Sequence, residues 1–92
     1  MPLMEPGFNS DVVSGGLTYH VQTEDWGDDN PFVVTRVFHS GAVLLSLKTS
    51  YDNLIAKSFA AGRQAIRLGM REQHQRVLDQ LVSGALLSTG IK

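Results

Sequence analysis

The sequence predicts an α+β domain: a four-stranded antiparallel β-meander, made of two hairpins, followed by one or two C-terminal helices packed on one sheet face. Two observations lead to this fold class. Before Thr49, short β-prone segments are separated by turn residues, and apolar and polar residues alternate with a period of two in LTYHVQTE, which is typical of a strand that buries one face. After Thr49, the apolar residues recur at the spacing of an amphipathic helix. Short turns between consecutive strands favour a meander, because sequential strands usually pair with each other.

The first predicted hairpin consists of the strand FNSDVV, a tight turn at Gly15 and Gly16, and the strand LTYHVQTE. Two consecutive glycines between β-prone segments indicate such a turn, because glycine tolerates positive φ angles. In the second strand, the odd-numbered residues from Leu17 to Thr23 alternate with the others, so we expect one face to be buried.

The second predicted hairpin follows the segment DWGDDNP, whose glycine, asparagine and proline favour a turn. It consists of the strand FVVTRVFH, a two-residue turn at Ser40 and Gly41, and the strand AVLLSLKT. Both strands are apolar enough to lie in the middle of a sheet, and they carry apolar residues on both faces. We therefore expect the face without the helix to meet a partner, a second copy of the chain, or the apolar segment GALL.

The helical region begins after Ser50, a favourable N-cap residue, and Gly84 is expected to be its C-cap. The sequence AAG at 60–62 is a point at which this region can divide into a short helix and a long one. On a helical wheel, five apolar residues fall within about 60° of one another. They are Phe59, Ile66, Met70, Val77 and Leu81.

The chain of 92 residues is expected to form one domain at 8–86, with a flexible N-terminal arm at 1–7 and a frayed tail at 87–92. It has no cysteine, which excludes disulfides, thiolate metal sites and cysteine nucleophiles. No apolar run approaches the roughly 18 residues of a membrane span, and the N-terminus lacks the pattern of a signal peptide. We therefore expect a cytoplasmic protein that does not bind a membrane.

Charge is unevenly distributed along the chain. Residues 1–31 contain six acidic residues and no lysine or arginine, whereas residues 32–92 contain three acidic and eight basic residues. The two parts are expected to attract each other or to attract different partners. The net charge of −1 is too close to neutral for a dedicated nucleic-acid-binding protein, so no nucleic acid is expected as a partner.

The segment HVQTEDWGDDN at 20–30 concentrates four carboxylates around the only tryptophan, Trp26. Its acidic residues do not have the order of an EF-hand calcium loop, and a short polar loop offers no pocket for an acid–base pair. We interpret the acidic part as a solvated turn. Trp26 either anchors this loop or binds a partner, since tryptophan is enriched at interfaces.

Arg63, Arg67 and Arg71 recur at every fourth position and form a basic stripe beside the apolar face of the helix. One interpretation is a docking surface for an acidic partner or a phosphate. The other is that the aliphatic stems cover the rim of the core while the guanidinium groups meet water or the acidic loop. Together with Trp26, these arginines are the candidate partner-binding residues.

No catalytic residue, metal site or cofactor is predicted. The three histidines lack metal-binding spacings such as HExxH, and the chain has neither a GxSxG elbow nor a phosphate-binding glycine loop. His74 is expected at the seam between helix and sheet. The candidate residues for binding a small ligand are His20, Gln22, Glu24 and His74.

Four short motifs occur along the chain in the order HVQTED, NP, KTSY and EQH. In their order and spacing, over roughly residues 8–84, the chain resembles a family of short, mostly uncharacterised bacterial proteins. The resemblance implies a bacterial cytosolic protein with a sheet-plus-helix domain, and it implies no reaction and no catalytic residue.

The function expected from these observations is that of a non-enzymatic protein-interaction or adaptor module. Its partner is an unidentified protein or a second copy of the chain in a homodimer. The alternative is a domain that binds a small ligand or a metal through the region of His20 and Glu24.

Overall fold

A computed structural model describes residues 4–84 of the chain. Its elements are β1 (Phe8–Ser14), β2 (Leu17–Asp25), β3 (Phe32–His39), β4 (Ala42–Ser50), α1 (Tyr51–Ala56) and α2 (Gly62–Ser83). The strands form one antiparallel sheet in the order β1-β2-β3-β4, and both helices follow the sheet in the chain. The predicted α+β meander with C-terminal helices is therefore confirmed. The arm residues before Met4, the predicted tail and the segment GALL beyond its glycine lie outside the described residues.

Both hairpins close through two-residue turns. Gly15 and Gly16 have φ angles of 59° and 80°, and Ser40 and Gly41 have 50° and 80°. Positive φ at both central positions defines the type I′ turn, whose twist matches that of the strands on either side. The second hairpin places β3 in the interior of the sheet but leaves β4 at its edge. The expectation that both strands lie in the middle of the sheet is therefore wrong for β4.

The helical region divides where the sequence allows it. Ser50 is the N-cap of α1, and its side chain accepts a hydrogen bond from the Asn53 amide at 3.2 Å. After the break at 57–61, α2 runs to its C-cap Gly84, which has a φ of 79°. Phe59 lies in this break and is fully exposed, so its predicted place on the buried helical face is wrong. The interruption removes Phe59 from the helical phase that the other four apolar residues share.

The core lies between α2 and the sheet. α2 packs across β1, β2 and β3, whereas α1 packs against α2 and β4. We call this side of the sheet the helix-covered face and the other side the open face. Two apolar clusters fill the helix-covered face, one with Tyr19, Val21, Val37, Val77 and Leu81, the other with Val33, Tyr51, Ile66 and Met70. Each such side chain contributes about 1.5–3 kcal/mol when fully buried, so α2 is held by tertiary packing.

Candidate functional site

Asp25 is the last residue of β2, and its carboxylate is completely buried. Its Oδ1 accepts hydrogen bonds from the Gly27 amide at 3.0 Å and from the Tyr51 hydroxyl. Its Oδ2 accepts from the Glu5 amide at 2.8 Å and from Nη2 of Arg63 at 2.9 Å. One carboxylate therefore connects the N-terminal arm, the acidic loop, the start of α1 and the first turn of α2.

The environment of Asp25 favours its ionised form. Burial alone would raise the pKa of Asp25, but hydrogen bonds from Tyr51, Glu5 and Gly27, together with the charge of Arg63, hold it below its ordinary value of 3.8. Burial and the hydrogen bond to Asp25 raise the pKa of Tyr51. The interpretation of the segment as a solvated turn is thus wrong for Asp25, although the side chain of Asp28 is 60% exposed.

The basic stripe meets the acidic part of the chain. Arg63 Nε and Arg67 Nε contact the two carboxylate oxygens of Glu5 at 3.2 and 3.0 Å, and Arg63 Nη1 lies 3.4 Å from Asp28. The Glu5 side chain is only 12% exposed, so it lies largely beneath the arginines. Arg71 is exposed and forms no ion pair within residues 4–84. Two of the three arginines therefore bind the N-terminal part of their own chain.

Trp26 is half-buried at the open face. The cationic groups of Arg36 and Lys48 lie 5.7 and 5.2 Å from its ring centroid, and Lys48 also lies 4.1 Å from the centroid of Phe32. The Trp26 amide donates to the carbonyl of Phe32 at 3.0 Å. These contacts tie the acidic loop to β3 and β4, as expected for a loop anchor. Val34 lies opposite Lys48 in the sheet and is buried. We attribute its burial to the side chains of Trp26 and Lys48 on the open face.

The candidate ligand residues do not form one group. His20 contacts Asp11 at 2.9 Å through Nδ1, and Gln22 donates to Glu24 at 2.6 Å. These side chains lie on the open face, whereas His74 lies on the helix-covered face. His39 packs against Tyr19 there, with the ring centroids 5.5 Å apart, so the histidines do not converge. Within the described part of the chain, no three acidic or histidine side chains are arranged to hold a metal ion.

A belt of polar side chains crosses the helix-covered face between the two apolar clusters. It runs from β1 to β4 beneath α2 and is buried for most of its length. Among the described residues, no buried side-chain nitrogen or oxygen lacks a hydrogen-bond partner. The polar belt comprises Ser10, Thr23, Thr35, Thr49, Gln73 and His74.

His74 connects two strands to α2. Its Nδ1 lies 2.8 Å from Thr23 Oγ1, and its Nε2 lies 2.8 Å from Ser10 Oγ. Gln73 donates to the Thr35 hydroxyl, and we assign the remaining donors from this starting point. Thr35 donates to Thr23, and Thr23 donates to Nδ1 of His74. The Nε2–H group of His74 then donates to Ser10. This order requires a neutral imidazole. Burial, reinforced by the charge of His20, lowers the pKa of His74 accordingly.

The neutral His74 makes stability depend on pH. Because its pKa in the folded protein lies below its ordinary value of 6.5, the unfolded chain binds the proton more readily. The free energy of unfolding is therefore expected to decrease as the pH falls below about 6.5, until the pH is below the folded-state pKa. Urea unfolding followed by Trp26 fluorescence between about pH 7.5 and pH 5 measures this decrease.

His74→Gln tests the origin of this pH dependence. The variant is expected to show a flatter profile over the same range, because glutamine does not titrate there. The control is His39→Gln, whose ring lies outside the polar belt and contacts the carbonyl of Thr18 at 3.2 Å. A wild-type profile in His74→Gln would show that another group causes the decrease.

β4 is an edge strand with little protection. Ala42–Ser50 pairs with β3, and within residues 4–84 no strand pairs with its other edge. Val43 and Leu47 are 53% and 37% exposed, and Lys48 is the only charged residue of the strand. Exposed edges in proteins are usually blocked by charge, proline or a covering helix. The order of a four-stranded meander was the sequence signal for this edge, because it places the fourth strand last.

A cleft of about 340 Å³ lies beside β4, between α1, α2 and the connecting segment 57–61. Leu54, Ala65 and Leu68 give it apolar walls, and Thr49 of β4 also lines it. Phe59 lies at this cleft and is fully exposed. The free strand edge and the cleft thus adjoin each other at Thr49. The helical wheel placed Phe59 on the buried face of the helix, so the sequence analysis did not predict this cleft.

Comparison with protein-family models, with curated proteins and with solved structures finds no match. The resemblance to a family of short bacterial proteins therefore remains a prediction. Neither α1 nor α2 combines the length and the hydropathy that a membrane-spanning helix requires.

Proposed function

We propose that this chain is a non-enzymatic protein-interaction module of the bacterial cytoplasm that binds an extended segment of its partner along β4. The observation that carries the proposal is the edge of β4, which has no neighbouring strand among the described residues and exposes Val43 and Leu47. An added strand would pair with the free backbone groups of such an edge, and its side chains would supply specificity.

The other edge of the sheet is less suited to this role. α2 packs on β1, and the side chains of Ser10 and Ser14 hydrogen-bond to His74 and to the carbonyl of Leu81 on that helix. β1 is shorter and carries the exposed charge of Asp11. Each edge strand carries one exposed charge, Asp11 in β1 and Lys48 in β4, so the difference lies in the long helix that covers β1. A covering helix discourages strand addition, and β4 is therefore the favoured edge.

The cleft next to β4 supports the proposal. A strand that is added to β4 passes Thr49, and from there an apolar side chain of the partner can reach the walls formed by Leu54 and Leu68. Trp26, Arg63 and Arg67 have internal partners, and we assign them to holding the loops around the sheet. Arg71 is the sequence candidate that remains available to a partner.

The test uses two double variants with identical substitutions at the two ends of the sheet. Val43→Lys with Leu47→Lys places two charges on β4, and Val13→Lys with Leu17→Lys places them on the β1–β2 hairpin. Val13 and Leu17 are 67% and 47% exposed, so the control disturbs a surface at least as accessible. Tagged wild type and both variants are used to capture proteins from a bacterial lysate, with quantitative mass spectrometry.

The β4 variant is expected to lose at least about tenfold of each specifically captured protein, which corresponds to about 1.4 kcal/mol of binding free energy. The hairpin variant is expected to capture these proteins like the wild type. Circular dichroism establishes that each variant is folded. Equal capture by the folded β4 variant would contradict the proposed function.

A further inference from the structure

We infer that the extended segment bound by β4 is an acidic amphipathic strand, with apolar side chains on the helix-covered face and carboxylates on the open face. This inference rests on the proposed function and names the chemistry of the partner. Successive side chains of a strand point to opposite faces of a sheet, so an added strand presents one row of side chains on each face. Each row meets the side chains that β4 presents on the same face.

The regular part of β4 begins after a bulge. The register between β3 and β4 shifts between Val37 and Phe38, which leaves Leu44 as the extra residue. A bulge disrupts the ladder and bends the strand, so we exclude this end of β4 from the pairing. From Leu45 to Ser50 the register with β3 is continuous. This stretch has the usual strand length of about 5–6 residues, and we place the added strand beside it.

The helix-covered face of this stretch is apolar at the edge of the sheet. Leu45, Leu47 and Thr49 lie opposite buried residues of β3, and Leu47 is still 37% exposed. An apolar side chain of the added strand would cover this exposed part of Leu47. Thr49 leads into the cleft, whose walls include Leu54 and Leu68. The row of the partner on this face is therefore apolar.

The open face of the same stretch is polar and positively charged. Ser46, Lys48 and Ser50 alternate with the apolar row and point to this face. Lys48 is exposed, and its ammonium group contacts the rings of Trp26 and Phe32. Within residues 4–84 it forms no ion pair with a carboxylate. A carboxylate placed opposite Lys48 would form a favourable cross-strand pair, whereas a second cation would be repelled.

The cleft beside β4 has the same sign of charge. Lys57 and Arg76 line it, and Glu72 is the only acidic residue among its lining residues. Together with Lys48, the regular part of β4 and the cleft present three cationic side chains and one carboxylate. The opposite edge of the sheet has a carboxylate, Asp11, as the only charge of β1. Charge therefore favours an acidic segment at β4 and disfavours it at β1.

Three capped peptides of about eight residues test both rows of the partner. In the acidic peptide, leucine alternates with glutamate. The basic peptide has lysine in place of each glutamate, and the polar peptide has serine in place of each leucine. Strict alternation gives the same two rows whichever way the peptide runs along β4, so the test requires no assumption about direction. Isothermal titration calorimetry measures each dissociation constant.

The wild type is expected to bind the acidic peptide at least about fivefold more tightly than the basic peptide, because attraction at Lys48 replaces repulsion. It should bind the polar peptide at least about tenfold more weakly than the acidic one, because the apolar row is lost. In Lys48→Glu, the preference for the acidic over the basic peptide is expected to fall at least about fivefold. Circular dichroism establishes that the variant is folded.

Val13→Glu is the control for Lys48→Glu. It introduces the same side chain on the open face of β1, where Val13 is 67% exposed. Three strand spacings of about 4.8 Å separate β1 from β4, which exceeds the screening length of about 8 Å at physiological ionic strength. Val13→Glu is therefore expected to keep the wild-type preference for the acidic peptide.

Four results would overturn the inference: equal binding of the acidic and basic peptides, equal binding of the acidic and polar peptides, an unchanged preference in Lys48→Glu, or no binding of any peptide. Failure of the inference is distinguishable from failure of the proposed function. If only the inference fails, the capture of proteins from the lysate still depends on Val43 and Leu47. If the proposed function fails, the folded β4 double variant captures the same proteins as the wild type.

Discussion

Replacing Asp25 by asparagine is expected to lower the free energy of unfolding by about 3–5 kcal/mol, the range found when a buried ion pair loses one partner. Both oxygens of the carboxylate accept hydrogen bonds, Oδ1 from Gly27 and Tyr51 and Oδ2 from Glu5 and Arg63. The amide of asparagine has nearly the same shape, but its NH₂ group must face one of these two sets of donors. The substitution also leaves the positive charge of Arg63 without its fully buried counter-ion.

Asp28→Asn is the matched control, because Asp28 contacts the same guanidinium group at 3.4 Å but is 60% exposed. Its loss is expected to cost no more than about 1 kcal/mol, as for other solvent-exposed ion pairs. Urea unfolding followed by Trp26 fluorescence measures both variants. With a slope of about 1 kcal/mol per M urea, the midpoint should fall by about 3 M or more for Asp25→Asn. Similar midpoints for the two variants would show that Asp25 is not a structural anion.

Acid should destabilise the wild type through the same residue. Because the pKa of Asp25 is below 3.8 in the folded protein, its contribution is fully present above that value. The stability that Asp25 contributes is lost as the pH falls through the folded-state pKa of Asp25. This decrease begins at lower pH than the decrease that the protonation of His74 causes, which begins near pH 6.5.

The strands were predictable because local information defines them. The alternation in β2, the β-branched and aromatic residues of β3 and the turn residues Gly15, Gly16 and Gly41 are sufficient to predict two hairpins and the meander order. The same alternation contained the signal for Asp25, since it continues the series of inward-pointing odd positions after Thr23. The sequence interpretation ended the strand at Glu24, and Asp25 was therefore assigned to the solvated turn.

The contacts between α2 and the sheet were not predictable in this way. The wheel places His74 at the edge of the buried face, but its bonds to Ser10 and Thr23 depend on how α2 crosses the strands. The position at which α2 crosses the strands depends on tertiary packing, and the spacing of residues along the sequence does not predict it. Phe59 illustrates the same limit, because the break at 57–61 changes the phase of the helix on which the prediction depended.

The polar belt determines how α2 is positioned, and Gln73 is its most connected member on the β3–β4 side. Gln73 Nε2 donates to Thr35 Oγ1 at 2.9 Å and lies 3.4 Å from the carbonyl oxygen of Leu47, and its Oε1 accepts from Thr49 at 2.6 Å. Gln73→Met preserves the length of this side chain, which is 2% exposed, but removes all three contacts. We expect the free energy of unfolding to fall by about 2–3 kcal/mol, because buried polar partners lose hydrogen bonds.

The stability lost in Gln73→Met should depend on whether its hydrogen-bond partner Thr35 is present. In the double variant Thr35→Val with Gln73→Met, both members of the bond are apolar, and such replacements cost less than leaving one buried group unpaired. The losses of unfolding free energy in the two single variants, added together, should therefore exceed the loss in the double variant by at least about 0.5 kcal/mol. This is the level at which contacting residues depart from additivity. Gln75→Met controls for the substitution itself. Gln75 is exposed on the same helix and donates to Asp79 at 2.9 Å, so its replacement should change stability by no more than about 0.5 kcal/mol.

Additive losses at Thr35 and Gln73 would mean that their hydrogen bond has no net value, and that apolar packing alone positions α2. A positive coupling would mean that the polar belt helps to hold α2 in the observed register, in which every buried side-chain nitrogen and oxygen of the described residues has a hydrogen-bond partner. The register matters for the proposed interface. In this register Gln73 of α2 contacts Thr49 and the carbonyl oxygen of Leu47 in β4, the strand that carries the proposed interface.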